Sequence, residues 1–396
     1  HYLDKHSKQN SEPSTEHLLS LMCNSFKHLT EEKRKVYVMQ SAGKDSAAML
    51  LGLNKAGIDA SCITYEANYR DKESVPAKII AESLGFSHQT LEADYKKEFE
   101  LLKEYQKSSL GITGDFSLLP YIAANGKLIE KGSIVIDGLG NDMYMGYVSP
   151  QLERMLMKFS VPSFNSFEPR FHFKDERLSY AKSCAFLQPY ERLFPGTRLS
   201  VPEIECFLGI KYVDDNSSYF NKLYKSLDKD DFRVQVRARM CDSAQFQMKG
   251  ELSCDSFGNE IYFPFSNPKL VDYYFNLPLE SRYDKPNAEN KKLLRKMIEE
   301  LISEDEFFKT KSGFRYNMPE FISTNYDDIV KEITICELFD IKVIKEWLDK
   351  LSGNLENYVV ASKVYILLIL ASWYNAHKFD LVEEHIADKF NWRTLP

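Results

Sequence analysis

Hydrophobic residues in the first 150 positions fall into short runs that alternate with longer amphipathic segments. The short runs predict β-strands at residues 36–39, 60–65, 86–91 and 133–137, and all but the third contain Val, Ile or Tyr. The longer segments carry apolar residues at helical spacing, which predicts helices at residues 17–28, 46–56, 74–84 (with Ser74 as N-cap) and 117–131. Because strands that alternate with helices pair in parallel, we predict an α/β fold with a doubly wound, mostly parallel sheet.

The pattern changes after residue 150. Residues 150–225 are rich in Phe, Tyr, Ser and Pro at irregular spacing, and the remainder is mainly helical. The apolar stretch 358–373 contains Lys363 and is too short to span a bilayer comfortably, so it predicts a buried helix. We expect a polar tail and short helix at 1–34, then one domain at 35–396. That domain would comprise a nucleotide half at 35–150, an aromatic-rich insertion at 150–225 and a helical half at 226–396.

Composition narrows the classes of partner. The formal net charge is −7 and no long Lys/Arg run is present, which disfavours nucleic acid as the main partner. Seven scattered cysteines without a C-x-x-C pair fit the reducing cytoplasm better than a disulfide framework or a zinc site. The polar N-terminal stretch has no apolar run of the kind found in signal peptides. We therefore expect a cytoplasmic protein that acts on small molecules or peptides, with neither nucleic acid nor membrane as partner.

The strongest local signal is Ser-Ala-Gly-Lys-Asp-Ser, between the first predicted strand and the second predicted helix. Small residues in this turn let backbone N–H groups approach an anion, and the helix N-terminus favours negative charge. The serines can donate to phosphate, and the aspartate can hold a divalent metal on it. The motif differs from the Walker pattern, which requires Ser or Thr directly after the lysine. It predicts a pyrophosphate loop, against an ordinary turn, with the candidate binding residues Ser41, Gly43, Lys44, Asp45 and Ser46.

A second candidate block follows the strand at 133–137, and it begins Asp-Gly-Leu-Gly-Asn-Asp. Two glycines at the carboxyl end of a strand permit close approach of the backbone to a ligand. Asp142, just beyond them, can reach a metal shared with Asp45. The alternative is a glycine-rich turn with a surface aspartate.

These blocks resemble those of a known family. The hexapeptide is similar to the S-G-G-x-D-S loop of N-type ATP pyrophosphatases, with Ala42 replacing the first glycine. The second block resembles the S-G-E-G-x-D-E-L-F-G-G-Y segment of asparagine synthetases. Three later segments resemble the family's R-V-P-F-L-D-x-x-L-V, K-x-L-L-R and R-x-K-x-G-F motifs, and they lie at residues 262–271, 291–295 and 309–314. Five blocks in the family order make the resemblance extend over roughly residues 36–375.

The resemblance implies an ATP-dependent, amide-forming ligase of the pyrophosphate-loop fold that activates a carboxylate as an acyl-adenylate. ATP and Mg²⁺ are the implied cofactors, with Asp45 and Asp142 as metal ligands and with Asp137 and Gly138 beside the nucleotide. Lys311 matches the lysine that stabilises charge on the α-phosphate and the leaving pyrophosphate, and we expect Lys291 to assist it. Lys291 and Arg295 are four residues apart, so we expect them to share one helix face.

Two departures bear on the second half-reaction. Leu139 stands where asparagine synthetases carry a Glu that acts on the incoming amine, and Met143 stands where they carry another acid. Glu66, Glu73 and Tyr147 are substitute bases by location only. If the chain is complete, no glutaminase domain fits before the phosphate loop. We then expect the nitrogen to come from ammonia, a partner glutaminase or an amine on the substrate, as in β-lactam synthetases and lasso-peptide cyclases.

Two other functions remain open from the sequence. Leu139, Met143 and Asn267, the last replacing the family Asp of P-F-L-D, are compatible with a degenerate nucleotide-binding sensor or interaction module. The phosphate loop alone would also suit an RNA- or nucleobase-modifying enzyme. Nucleotide binding without turnover would favour the first of these, and a salt-sensitive RNA complex the second.

Overall fold

The computed structural model describes residues 11–31, 33–67, 72–143, 199, 201–209, 222, 225–226, 246–284, 287, 289–302 and 314–383. Lys311, Tyr147 and most of the predicted insertion at 150–225 lie outside the described residues.

A five-stranded parallel sheet forms the centre of the described fold. Its strands are β1 (Val36–Met39), β2 (Ser61–Glu66), β3 (Ser87–Glu92), β4 (Ile134–Asp137) and β5 (Glu260–Tyr262). The order across the sheet is β3-β2-β1-β4-β5. The predicted parallel α/β sheet is confirmed, and each of the four predicted strands begins within one residue of its expected start. β5 was not predicted, and it ends at Tyr262, the first residue of a segment that the sequence marked only as a family motif.

Helices cover both faces of this sheet. In the first half they are α1 (Thr15–Phe26), α2 (Lys44–Ala56), α3 (Ser74–Ser83), α4 (Tyr95–Ser108) and α5 (Leu118–Lys127). Further on come α6 (Val201–Leu208), α7 (Met248–Ser256), α8 (Pro268–Asn276), α9 (Leu279–Arg282), α10 (Lys292–Leu301), α11 (Met318–Thr324), α12 (Tyr326–Thr334), α13 (Ile341–Leu351) and α14 (Tyr358–Glu383). A short antiparallel pair, β6 (Tyr283–Asp284) and β7 (Glu289–Asn290), precedes α10.

Two hydrophobic cores lie on opposite faces of the sheet because strand side chains alternate. Val36 and Val38 of β1 join one core, which also contains α1, α2, α8 and α10. Tyr37 joins the other core, which contains α4, α5 and the helices from α11 to α14. The sheet is therefore the middle layer of three, as in doubly wound folds.

One expectation about a helix end was wrong, and one helix was not predicted. Ser74 is the first residue of α3 rather than its N-cap, and its backbone N–H donates to the buried Glu66 carboxylate at 3.3 Å. The side chain at the end of β2 therefore supplies the acceptor that a capping serine would have supplied. α4 was not predicted, because its Lys- and Glu-rich sequence hides a stripe of buried residues that includes Phe99 and Leu102.

The predicted buried C-terminal helix is confirmed as α14. Within the described residues it is the one helix long and apolar enough to cross a membrane, but 67% of the Tyr358–Lys378 window is buried. It packs against α4, α11 and α12. Lys363 lies in this apolar helix and pairs with Glu203 of α6. The helix is therefore a core element of the described fold.

The strand order reverses between β1 and β4. In open parallel sheets, ligands bind at such a switch point, in the crevice outside the carboxyl ends of the strands. The predicted phosphate loop follows β1 and the second glycine-rich block follows β4. The topology therefore brings the two blocks to one crevice.

Candidate nucleotide and metal site

A cleft of about 220 Å³ opens at the carboxyl ends of β1, β2 and β4. Of the predicted nucleotide-binding residues, those that line it are Ser41, Asp45, Ser46, Asp137 and Gly138. Gly43 and Lys44 lie in the same turn, where Gly43 is the N-cap of α2 and Lys44 its first residue. The predicted residues are thus gathered at the switch point, while their roles toward a nucleotide stay predictions.

The loop after β1 is held by its own hydroxyl groups. The Ser41 backbone N–H donates to Ser46 Oγ at 3.1 Å, and the Gly43 N–H donates to Ser41 Oγ at 3.2 Å. Among described non-glycine residues, only Lys291 has a positive φ, so Ala42 needs no left-handed backbone. The replacement of the family glycine by alanine is therefore compatible with the loop's shape.

Asp45 and Asp142 converge on one cationic group, the ammonium of Lys291. Lys291 Nζ lies 2.5 Å from Asp45 Oδ2 and 2.8 Å from Asp142 Oδ1. Burial alone would lower the pKa of Lys291, but the carboxylates of Asp142 and Asp45 outweigh it and raise that pKa above its usual value. The three residues lie 97 and 149 positions apart in sequence order, so only the fold brings them together.

Lys291 does not lie on a helix face with Arg295, contrary to expectation. It occupies the cap position before α10 in a left-handed conformation, with φ 58°. Arg295 turns back instead, and its Nε donates to the Asn290 carbonyl oxygen at 2.7 Å. Left-handed backbone is strained for a lysine, and it directs this side chain away from the helix toward the two aspartates.

Asn141 is a neighbour of the carboxylate pair that sequence reasoning missed. Its Nδ2 donates to Asp45 Oδ1 at 2.5 Å, while its own Oδ1 is buried and finds no hydrogen-bond partner in the described part of the chain. Gly138 explains how the two loops come so close, since a Cβ there would lie 3.2 Å from Asp45 Cβ. The second block therefore packs directly on the start of α2.

A buried polar chain on the other side of the cleft was also missed. The Tyr121 hydroxyl donates to Asp137, and Lys249 Nζ lies 5.6 Å from the centre of the Tyr121 ring. Lys249 also pairs with Asp115 at 3.0 Å. Burial raises the pKa of Asp137, although the Tyr121 hydroxyl and the Lys249 ammonium act against this. No local signal marked Lys249, because a lysine in Gln-Met-Lys-Gly looks like a surface residue.

The donor set at the carboxylate pair fits Mg²⁺. Mg²⁺ is typically bound by one or two carboxylates together with substrate phosphates and water. Asp45 and Asp142 supply two carboxylates, and the Lys291 ammonium already marks a cation position between them. Throughout the described ranges, no group of three or more His, Cys, Asp or Glu side chains could hold a metal. A closed zinc site built from Cys, His and carboxylate ligands is therefore absent from those ranges.

Two of the three candidate bases, Glu66 and Glu73, lie within the described residues. Leu139 lines the cleft where the family acid was expected. Glu73 lines it as well, whereas Glu66 is buried and its carboxylate accepts from the start of α3. Phe314, the end of the R-x-K-x-G-F-like segment, also lines the cleft and contacts Tyr65 edge to face.

The replacement of the family Asp in the P-F-L-D segment by Asn267 has a structural explanation. Asn267 is the N-cap of α8, and its Oδ1 accepts from the Lys269 backbone N–H at 3.1 Å. Asn and Asp serve nearly equally well at this position. The change from the family Asp therefore preserves a helix cap.

A larger cleft, of about 610 Å³, lies at the amino ends of β1 and β2. It includes the basic residues Arg34 and Lys35, but Arg34 pairs with Glu260 at 2.8 Å and Lys35 pairs with Glu130. It has neither the phosphate loop nor the convergent carboxylates. We therefore assign the functional site to the smaller cleft.

Comparison with known proteins agrees with this geometry. A family model described as asparagine synthase matches residues 17–375, which is more than half of the chain. No curated protein matches the chain.

Proposed function

Because the chain belongs to the asparagine synthase family, we propose that it is an ATP-dependent, amide-forming ligase that activates a carboxylate as an acyl-adenylate. The family in general consists of ATP-dependent ligases that form amides. The proposal adds the chemical route, in which AMP and pyrophosphate are the products of ATP. The reaction is placed in the cytoplasm, in keeping with the free thiols of Cys62, Cys254 and Cys336.

The observation that carries the proposal is the convergence of Asp45 and Asp142 on one cation position at the switch point of the sheet. The phosphate loop lies beside this position, because Asp45 belongs to both. A triphosphate on the loop would therefore reach a metal held by the two carboxylates. Such an arrangement suits attack at the α-phosphorus with pyrophosphate as the leaving group.

The residues have distinct roles in this route. The 41–46 loop and the N-terminus of α2 bind the phosphates. Asp45 and Asp142 would hold Mg²⁺, which when bound would offset negative charge on the phosphate oxygens. Lys311, with Lys291, neutralises charge that develops while the carboxylate attacks. Holding the carboxylate and the α-phosphorus in line supplies much of the rate gain.

The carboxylate belongs to a small molecule or a peptide, and the nitrogen comes from ammonia, from a partner glutaminase or from an amine on the substrate. Leu139 gives the cleft an apolar wall where asparagine synthetases have an acid. An amine that belongs to the substrate itself fits this wall best, because proximity then replaces part of the missing base. Glu73 lines the cleft, and it is the candidate among the described residues for the base that activates the amine.

Product analysis tests the proposal. Purified protein with Mg²⁺·ATP and a panel of carboxylates and amines should release AMP and pyrophosphate. Asp45→Asn and Asp142→Asn should each reduce the rate about 100-fold or more, in line with the loss of a metal ligand's electrostatic stabilisation. Release of ADP and phosphate instead would contradict the adenylation route.

One observation favours a second candidate, a nucleotide-binding module without ligase activity. The cleft presents Leu139 rather than an acid. Such a module would bind Mg²⁺·ATP with no AMP production, and Lys311→Ala would leave the binding unchanged.

A further inference from the structure

The Asn141 side chain is unusual in its surroundings. It follows β4 in a short 3₁₀ turn, and only 1% of its surface is exposed. Its Nδ2 lies 2.5 Å from Asp45 Oδ1, yet its side-chain oxygen is buried and has no hydrogen-bond partner among the described residues. An unsatisfied buried amide oxygen is costly, and a bound water or ion is one explanation for such a group in a native protein.

The position of the cation is marked independently by Lys291. Its ammonium contacts Asp45 Oδ2 and Asp142 Oδ1, while Asn141 contacts the other oxygen of Asp45. The amide and the ammonium thus lie on the two oxygens of one carboxylate. A cation that Asp45 binds through both oxygens, or through the Oδ1 side, lies within reach of the Asn141 amide.

A half-turn of an Asn amide about its Cβ–Cγ bond exchanges the oxygen and nitrogen positions. With a divalent cation on Asp45, the orientation that faces the cation with the oxygen is favoured electrostatically. Amide oxygens are ordinary ligands for hard cations.

From these observations we propose that Asn141 is a third protein ligand of the cation that Asp45 and Asp142 hold, through its side-chain oxygen. The inference rests on the proposed function for the cation site that Asp45 and Asp142 form. Three protein oxygens leave the remaining octahedral positions to phosphate oxygens and water. In that orientation the amide oxygen gains the cation as its partner, and the amide nitrogen takes the buried position that the oxygen leaves.

The competing explanation is that Asn141 only orients Asp45 by donating a hydrogen bond. Both roles make Asn141→Ala harmful, so affinity alone does not separate them. A residue that ligates directly can be replaced by one whose bond to a metal has its own spectroscopic signature. Cysteine is close to asparagine in volume, and its thiolate binds the soft cation Cd²⁺.

The experiment uses two measurements on the full chain without nucleotide. Asn141→Ala should weaken Mn²⁺ binding about 10-fold or more. The electron paramagnetic resonance signal of free Mn²⁺ measures this affinity. Asn141→Cys should give a thiolate-to-Cd²⁺ charge-transfer band in the ultraviolet when Cd²⁺ is added. The band should be lost in the double variant Asn141→Cys/Asp45→Asn.

The matched control is Asn54→Cys, on the exposed surface of the same helix that carries Asp45. It should show no band beyond that of the wild-type cysteines. Unchanged Mn²⁺ affinity in Asn141→Ala would overturn the proposal. Weakened affinity without a Cd²⁺ band in Asn141→Cys would overturn it too, because Asn141 would then act only through Asp45. AMP production by the wild-type protein is a separate measurement, so the proposed function and this inference can fail independently.

Discussion

The Lys291 ammonium lies on the same carboxylate oxygens that the proposal gives to a metal. It must therefore compete with any divalent cation that enters before the nucleotide. Once phosphates are bound, the ammonium has a new anionic partner and can leave the aspartates. The residue thus links cation binding to phosphate binding through simple charge competition.

Lys291→Met tests this competition. Removing the ammonium leaves two carboxylates unpaired, so Mn²⁺ affinity of the nucleotide-free protein should rise, by about 10-fold or more given close charges at intermediate dielectric. AMP formation should fall in the same variant, since one phosphate-neutralising group is lost. Titration with Mn²⁺ and a product assay measure the two effects. Lys292→Met, at the next position, is the matched control, and an unchanged or weakened Mn²⁺ affinity in Lys291→Met would refute the competition.

Glu98 is a buried carboxyl behind the cleft, fully shielded from solvent. Its Oε1 accepts from the Tyr65 hydroxyl at 2.8 Å and from the Asp94 backbone N–H at 3.1 Å, and its Oε2 accepts from the Tyr316 hydroxyl. Burial raises the pKa of Glu98 in spite of these donors. The native state therefore binds this proton more tightly than the unfolded state does.

That sign gives a pH-dependent prediction. A raised carboxyl pKa contributes stability below the ordinary value of 4.5, and the contribution is lost as pH rises through the native pKa. Glu98→Gln cannot titrate, so its free energy of unfolding relative to wild type should improve between about pH 4 and about pH 7. Urea denaturation at both pH values measures the difference, with the exposed Glu100→Gln on the same helix as control. If the difference in unfolding free energy between Glu98→Gln and wild type is the same at both pH values, or falls as pH rises, then the pKa of Glu98 is not raised in the native state.

At the scale of elements, the two ends of α2 serve different purposes, since one carries the candidate binding loop and the other terminates the helix. Its N-terminus carries the phosphate loop, and its C-terminus ends at Gly57 with φ 69°. A left-handed terminal residue lets the last turn close with a hydrogen bond from the Gly57 N–H to Asn54. The cap fixes where α2 ends and the chain turns toward β2.

Gly57→Ala should destabilise the fold by about 1–2 kcal/mol, the cost of left-handed backbone for a residue with a Cβ. Nothing lies within 4 Å of the added Cβ, so the cost is conformational rather than steric crowding. Gly353→Ala is the control, because Gly353 also has open space but no positive φ. Equal effects of the two substitutions in chemical denaturation would contradict this account.

The elements show what hydrophobic patterning can and cannot predict. β1 and β4 are short runs buried on both faces, so their composition alone identified them. α4 was missed, since Lys and Glu dominate its sequence and its buried stripe becomes clear only against α11 and α14. Lys291 was assigned to a helix because the pattern continues through it, whereas its left-handed backbone depends on contacts distant in sequence.

At the scale of the whole molecule, the buried Lys249–Asp115 pair joins distant elements. Lys249 lies on α7, Asp115 precedes α5, and the Tyr365 hydroxyl of α14 donates to the Asp115 carbonyl oxygen at 3.1 Å. The pair therefore ties the wall of the cleft to the core helix α14. Sequence motifs predicted the convergence of Asp45 and Asp142, but they could not reveal this pair, since it depends on burial rather than on a local pattern.

Lys249→Met should cost about 3–5 kcal/mol of unfolding free energy, because it leaves the Asp115 carboxylate buried without its partner. Lys97→Met breaks an exposed pair with Glu100, and it should change stability by less than about 1 kcal/mol. Denaturant midpoints of the two variants provide the comparison. Similar small effects would mean that the buried pair does not hold the cleft wall.

The central claim is that Asp45 and Asp142 hold a single cation on the phosphates of ATP. A crystal structure with Mn²⁺ and α,β-methylene ATP tests it without knowledge of the substrate, because the anomalous signal of Mn²⁺ locates the metal directly. The account predicts an anomalous peak between Asp45 and Asp142, a triphosphate on residues 41–46, and the Lys291 ammonium moved onto phosphate oxygens. A metal bound elsewhere, or a triphosphate outside that loop, would contradict it.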